Sequence, residues 1–326
     1  DPMDIRYNVI NWVHRSTRGW AYGSSISDPR TGEIIKGVVT LDSQRARQDF
    51  LIASGFAPQY ASYSNASCDF AMLPDVNYLL STKQKADADA LSVARIRQLS
   101  AHEIGHTLGF SHNFAASTYG RGSVMDYPAP LIQINNGRLD FSNAYDTKIG
   151  VYDKWVARFA YADFPEGASE KAELEKIIQD GITKKYLFIS DADTRPASAA
   201  HPLANLWDNG SDPVAELKHI MRVRKIGLSQ FGYKNVPEGA ALSLLENKLL
   251  PLYLHHRYQV TATAKTLGGV YYNYSVRKGD LASPNDVYKI VPAAKQRQAL
   301  YAVIATLGAN ELVIPERILK ILPPLA

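Results

Sequence analysis

"HEIGHTLGFSH", residues 102–112, holds three of the chain's eight histidines in eleven positions. His102 and His106 are four apart, so on a helix they stand one turn apart on one face. Glu103 beside the first completes an HExxH pattern, two metal-ligating imidazoles with a carboxylate at hand. With this histidine content, that pattern arises by chance in roughly one chain of this length in a hundred. Gly109 follows His106 by three, where helices commonly end in a left-handed residue. A chain turning there brings His112 back toward the first pair. Requiring Gly109 and His112 as well lowers the chance expectation to roughly one in a hundred thousand. Three neutral nitrogens leave a fourth zinc position for water, the open rather than the closed structural arrangement.

The helix carrying the pair is expected to begin near Asp87 or Asp89, either a suitable cap, and to run through "ALSVARIRQLSAHEIGHTLG". Val93, Ile96, Ile104 and Leu108 fall on one side. His102 and His106 fall roughly opposite, with Leu91 and Leu99 nearby. A helix apolar on both sides reads as buried. The first side is expected in the core and the second under a cleft with the metal.

The eleven residues fit the long metzincin pattern HExxHxxGxxH. Metzincins also carry a methionine turn that floors the metal. "SVMDYP" follows here, and Met125, thirteen residues past His112, is its candidate. "DPMDIRYNVINWVHRSTRGWAYG", "DPRTGEIIKG", "VYDKW" and "HRYQVTATAKTLGGVYY" resemble the Met-zincin family of large bacterial secreted zinc metalloproteases, long known as a domain of unknown function. The resemblance implies an α+β metzincin-like catalytic domain: a twisted mixed sheet, the zinc helix and a C-terminal helix. It implies a peptide or protein substrate and a secreted or periplasmic parent. It places the substrate-binding edge strand at Ile34 to Leu41, with "PAPLIQI" walling the pocket for the residue after the cut. In astacin-like and serralysin-like metzincins, a tyrosine two residues past the methionine approaches the metal and later hydrogen-bonds the oxyanion. Tyr127 holds that spacing; its alternative is a tyrosine packed on the turn.

Composition agrees with a folded enzyme. Hydrophobic residues are 46% and charged residues 21% of 326, enough to bury a sizeable core. No apolar run reaches transmembrane length. The net charge of +4 comes with interspersed signs, which gives nucleic acid no basic face. Cys68 is alone, so no intramolecular disulfide forms, and a small structural thiol is its plain reading. The abrupt start, without initiator methionine or signal peptide, reads as a piece of a longer parent with further domains.

Along the chain, residues 5 to 13 read as a strand. "SSISDPRTGEIIKGVVTL" reads as two strands about a turn at Asp28 to Gly32. "DSQRARQDFLIASGF" reads as a capped helix. "NAYDTKIGVYDKWVARFAYADF" reads as a helix after the methionine turn. From about residue 165, four long stretches carry helical patterning. The expected division is 1–164, the catalytic domain, and 165–326, mainly helical.

Other residues invite a reading. His255 and His256 are adjacent and point apart on a helix, one packed and one solvated. "SDADTRP" and "WDNGSDP" offer oxygens suited to calcium, but turns and caps use the same residues. Alternatively, this region reaches over the cleft. Asn113 is expected to orient local backbone. Three functions compete: a zinc peptidase with Glu103 as general base, a zinc hydrolase of a non-peptide amide, and a noncatalytic module on the same fold. The intact Glu103 favours the first.

Overall fold

A computed structural model describes residues 3–15, 19–56, 86–275 and 287–323. Cys68 and the Ser-, Tyr- and Asn-rich stretch before the histidine helix lie outside the described residues. The chain opens with β1 (Val9–Val13), β2 (Tyr22–Ser27) and β3 (Ile34–Asp42). They form a mixed sheet in the order β1-β3-β2, with β1 parallel and β2 antiparallel to β3. The β2–β3 connection closes where the Asp-Pro and Gly signals stand. Gly32 N–H donates to Asp28 O at 2.8 Å, and Asp28 N–H to Glu33 O at 2.9 Å. β1 is shorter than expected, beginning at Val9.

The sheet order corrects the edge strand. Ile34 to Leu41 is the central strand, hydrogen-bonded on both sides, so it has no free main-chain edge for a peptide. Among the described residues the free edges belong to β1 and β2. β2 lies against the histidine helix so closely that a Cβ on Gly23 would stand 1.9 Å from Glu103 O.

Asp42 caps α1 (Ser43–Phe56), its Oδ1 accepting Gln44 N–H at 2.7 Å, as helix starts prefer. α1 packs on α2 (Ala86–Thr107), the histidine helix. Asp87 and Asp89 fall within its first turn rather than before it. Its buried side is the reverse of the expected one. Val93, Ile104 and Leu108 are 40–42% exposed, whereas Leu91 and Leu99 are buried beside the histidine face. Sheet, α1 and metal site all lie on that one side, so a single stripe carries both core and chemistry.

A short hairpin, β4 (Gln133–Asn135) with β5 (Arg138–Asp140), follows. The helix after the methionine turn is α3 (Val151–Tyr161), eight residues later in starting than expected, because 142–150 form turns. α4 (Glu170–Thr183) and α5 (Pro213–Gln230) come next. Asp212 caps α5, accepting N–H from Val214 and Ala215, with Pro213 at the first position. The long apolar stretch 239–269 divides into α6 (Leu244–Tyr253) and α7 (Arg257–Ala264). Pro251 near the end of α6 removes a helical N–H donor. A two-stranded sheet of β6 (Val270–Tyr272) and β7 (Tyr288–Ile290) precedes α8 (Ala293–Ala305).

The largest apolar cluster joins Phe56 of α1, Leu91 of α2, Ile132, Leu139 and Phe141 around the hairpin, Val223 of α5 and Leu245 and Leu252 of α6. It therefore draws on residues before and after 165. Ile132 is in that cluster, so the inner part of "PAPLIQI" serves the core. No helix among the described residues is long and apolar enough to cross a membrane.

Candidate metal centre

α2 places His102 and His106 one turn apart, as their spacing requires. Two residues past the helix, Gly109 takes φ +84°, and Phe110 N–H closes onto Gly105 O at 3.0 Å. This left-handed stop returns the chain so that His112 meets the first two. His106 Nε2 lies 3.1 Å from both His102 Nε2 and His112 Nε2. The three ligand atoms all lie within 4.8 Å of one another.

Each ring's other nitrogen is committed elsewhere. His102 Nδ1 faces Val124 O at 2.7 Å, His106 Nδ1 faces Phe110 O at 2.9 Å, and His112 Nδ1 faces Asp191 Oδ2 at 2.8 Å. Two partners are carbonyls and one a carboxylate, so each Nδ1 carries its proton and donates it outward. The three Nε2 atoms then present lone pairs to one another. Burial favours the neutral form of the two helical rings: it pushes His102 down to about 3 and lowers His106. Converging lone pairs repel unless a cation stands among them. Ligands about 2.0–2.1 Å from a tetrahedral zinc stand about 3.3 Å apart, close to the spacing found. The residues fit a metal ion.

Met125 is fully buried. A Cβ on Gly105 would stand 2.3 Å from Met125 Sδ, so the glycine between the two helical histidines makes room for the methionine. The turn is tied on both sides. Asn113 N–H donates to Met125 O at 3.0 Å. Asp153, at the start of α3, accepts from Val124 N–H at 2.8 Å, Gly150 N–H at 2.6 Å and Ser123 Oγ at 2.5 Å. Asn113 is buried, and its side chain binds Tyr119 Oη, Leu187 O and the N–H groups of Ala115 and Ile189. That is the backbone-orienting part the sequence suggested.

Glu103 is 3% exposed and stands outside the ligand group. Burial raises its proton affinity to about 7, against which the Gly23 N–H and the charges of Arg95 and Arg45 pull. Tyr127 puts its ring 5.3 Å from that of His102 and 5.0 Å from that of His112. The Arg195 guanidinium lies over Tyr127 at 5.1 Å and over Phe114 at 5.2 Å, and it pairs with Asp191.

Three contributors went unseen in sequence: Asp153, Asp191 and Arg195. "SDADTRP" had drawn notice for its acids and as part of a region reaching over the cleft, with no role given to a single residue. Asp191 serves His112, and Asp193 accepts the hydroxyls of Tyr272 and Tyr274. Asp212 caps α5, and Asn205 donates to Asp208 at 3.1 Å. The three-histidine set is the metal-type cluster found among the described residues, and these acids do not converge on a second. His255 and His256 are both half-buried rather than one packed and one solvated.

A helix-borne histidine pair, a third histidine after a glycine turn and a buried methionine beneath define a metzincin-type metal centre. The chain belongs to the Met-zincin family, whose profile matches residues 84–324. No curated protein and no solved structure matches it significantly.

Proposed function

We propose that the chain is a zinc-dependent metallopeptidase. The observation that carries this reading is the outward commitment of all three Nδ1 atoms, which leaves three Nε2 lone pairs for one ion beside an unliganded, buried Glu103. Zinc held there supplies a Lewis acid that polarises the scissile carbonyl and brings a water's pKa toward neutrality. Glu103 takes the water's proton on its carboxylate and passes it to the leaving amine, a role suited to its raised proton affinity. Tyr127 offers its hydroxyl to the oxyanion. The substrate lies extended along β2, the edge beside Glu103, adding a strand by main-chain hydrogen bonds.

The test joins metal and chemistry. Elemental analysis of protein purified without added metal should find one zinc per chain. A proteome-derived peptide library should be cut, and chelation should stop the cutting. Glu103→Gln should keep the zinc and lose activity by about 10²- to 10⁴-fold. Finding no transition metal and no uptake of zinc, or a Gln variant as fast as the parent, would sink the proposal.

A further inference from the structure

Beside Glu103 and His102 lies a cavity of about 120 Å³. Its lining includes Trp20 and Ala21, just before β2, and Arg45, Arg95, Tyr127 and Trp207. Arg95, on α2, is 4% exposed. It donates to Gln98 Oε1, and its guanidinium stands 5.2 Å from the Tyr145 ring and 5.8 Å from that of Trp207. Arg45, on α1, donates to Gln48 Oε1 at 3.0 Å and stands 5.7 Å from the Trp207 ring. Its Nε is buried with no hydrogen-bond partner.

Neither guanidinium makes an ion pair with a carboxylate among the described residues. The acids both feel are Glu103 and Asp49, the latter itself buried and holding the Tyr145 hydroxyl at 2.6 Å. Asp126 also lines the cavity, but its oxygens accept the backbone N–H groups of Tyr127 and Ser117. Two cations thus face two buried carboxyls, Asp49 and Glu103, whose proton affinities burial raises, and a desolvated charge without a hydrogen-bonded ion partner is unfavourable. The backbone is bent to build this lining. Trp207 adopts φ +63°, a left-handed conformation rare for an aromatic residue, with its N–H on Tyr127 O at 2.8 Å and its ring 5.2 Å from that of Tyr127.

Direction follows from the strand once the peptide is taken to add antiparallel, the pairing that is more stable per residue. β2 runs away from Trp20 and Ala21 toward Ser27. A peptide added antiparallel to it therefore has its carboxyl-side residues at the Trp20 end, over the cavity. We propose that the cavity takes the side chain of the residue immediately after the cleaved bond, and that Arg45 and Arg95 select an aspartate or glutamate there. The inference rests on the peptidase reading and adds the substrate class. A guanidinium offers a carboxylate paired donors that an amide cannot match in charge.

The experiment uses peptides that differ only at that position, with Glu, Gln or Lys. The readout is the ratio of kcat/KM for Glu over Gln, taken within each protein so that the active fraction cancels. The ratio is expected to be roughly tenfold or more in the parent. It should fall toward one in Arg45→Gln and in Arg95→Gln, and Arg45→Glu should shift preference toward Lys. Arg45 is the less buried, so its variants carry the test if Arg95→Gln does not fold. A parent that cuts peptides without acidic preference, or Arg45 variants with an unchanged ratio, overturns the inference and leaves the peptidase reading standing. A parent that cuts no peptide overturns both.

Discussion

At the residue scale, the convergence of His102, His106 and His112 was legible because metal-binding patterns tie side-chain type to spacing. Histidines at i and i+4, with a third past a glycine, have few other causes. Tyr127 was legible as a position only. Its ring beside His102 and His112 makes Tyr127→Phe informative: an oxyanion donor lost there lowers kcat by about 10²- to 10³-fold while zinc and fold persist. An unchanged kcat on a good peptide would return Tyr127 to packing. His255 gives a prediction of another kind. Burial, helped by the charges of His256 and Arg257, pushes its pKa down to about 3 from 6.5. Its ring stands edge-on to Phe56 at 4.7 Å. Below about 6.5 the unfolded chain takes up a proton that the fold refuses. The stabilising contribution is therefore complete above 6.5 and diminishes as pH falls toward 3. Relative to His255→Phe, the parent should lose roughly 1–2 kcal/mol of unfolding free energy between pH 7.5 and pH 5, some solvent contact at the ring limiting the effect. Parallel stability curves for the two proteins would contradict it.

At the element scale, α1, the β2–β3 turn and the existence of α2 followed from caps, glycines and periodicity. The facing of α2 did not. Both its sides carry aliphatic residues, and periodicity cannot choose between two apolar stripes. Histidines were set against core, although the core-facing residues Leu91 and Leu99 share their side. The central place of β3 also escaped, because strand order is long-range and leaves no local mark. The fit between α2 and the methionine turn can be tested at Gly105. A methyl group there meets Met125 Sδ, so Gly105→Ala should destabilise by about 1–3 kcal/mol and weaken zinc retention against a chelator. Adding Met125→Ala should recover part of the loss, giving a coupling between the two sites in urea unfolding. Purely additive effects would mean that the two groups do not press on each other.

At the scale of the whole molecule, the sequence marked a change of character near 165, while the main apolar cluster and the metal site's surroundings cross that line. Contacts made by residues far apart in the chain have no signature in one sequence, which is why Asp191 read as a turn residue. The bond from His112 Nδ1 to Asp191 Oδ2 spans 79 positions, and it would make a bound ion a clasp. Whatever free energy the ion gains from that carboxylate, the docking of residues 187–195 gains from the ion, since linkage is reciprocal. Loading with zinc should slow amide hydrogen exchange across 187–195, well away from the ligands in sequence. Asp191→Ala should weaken zinc binding by about 10- to 100-fold and erase most of that slowing. Exchange there that ignores zinc would show the clasp to be open. Exchange that follows it would make a spectator segment into a reporter, reading the occupancy of the metal from the far half of the chain.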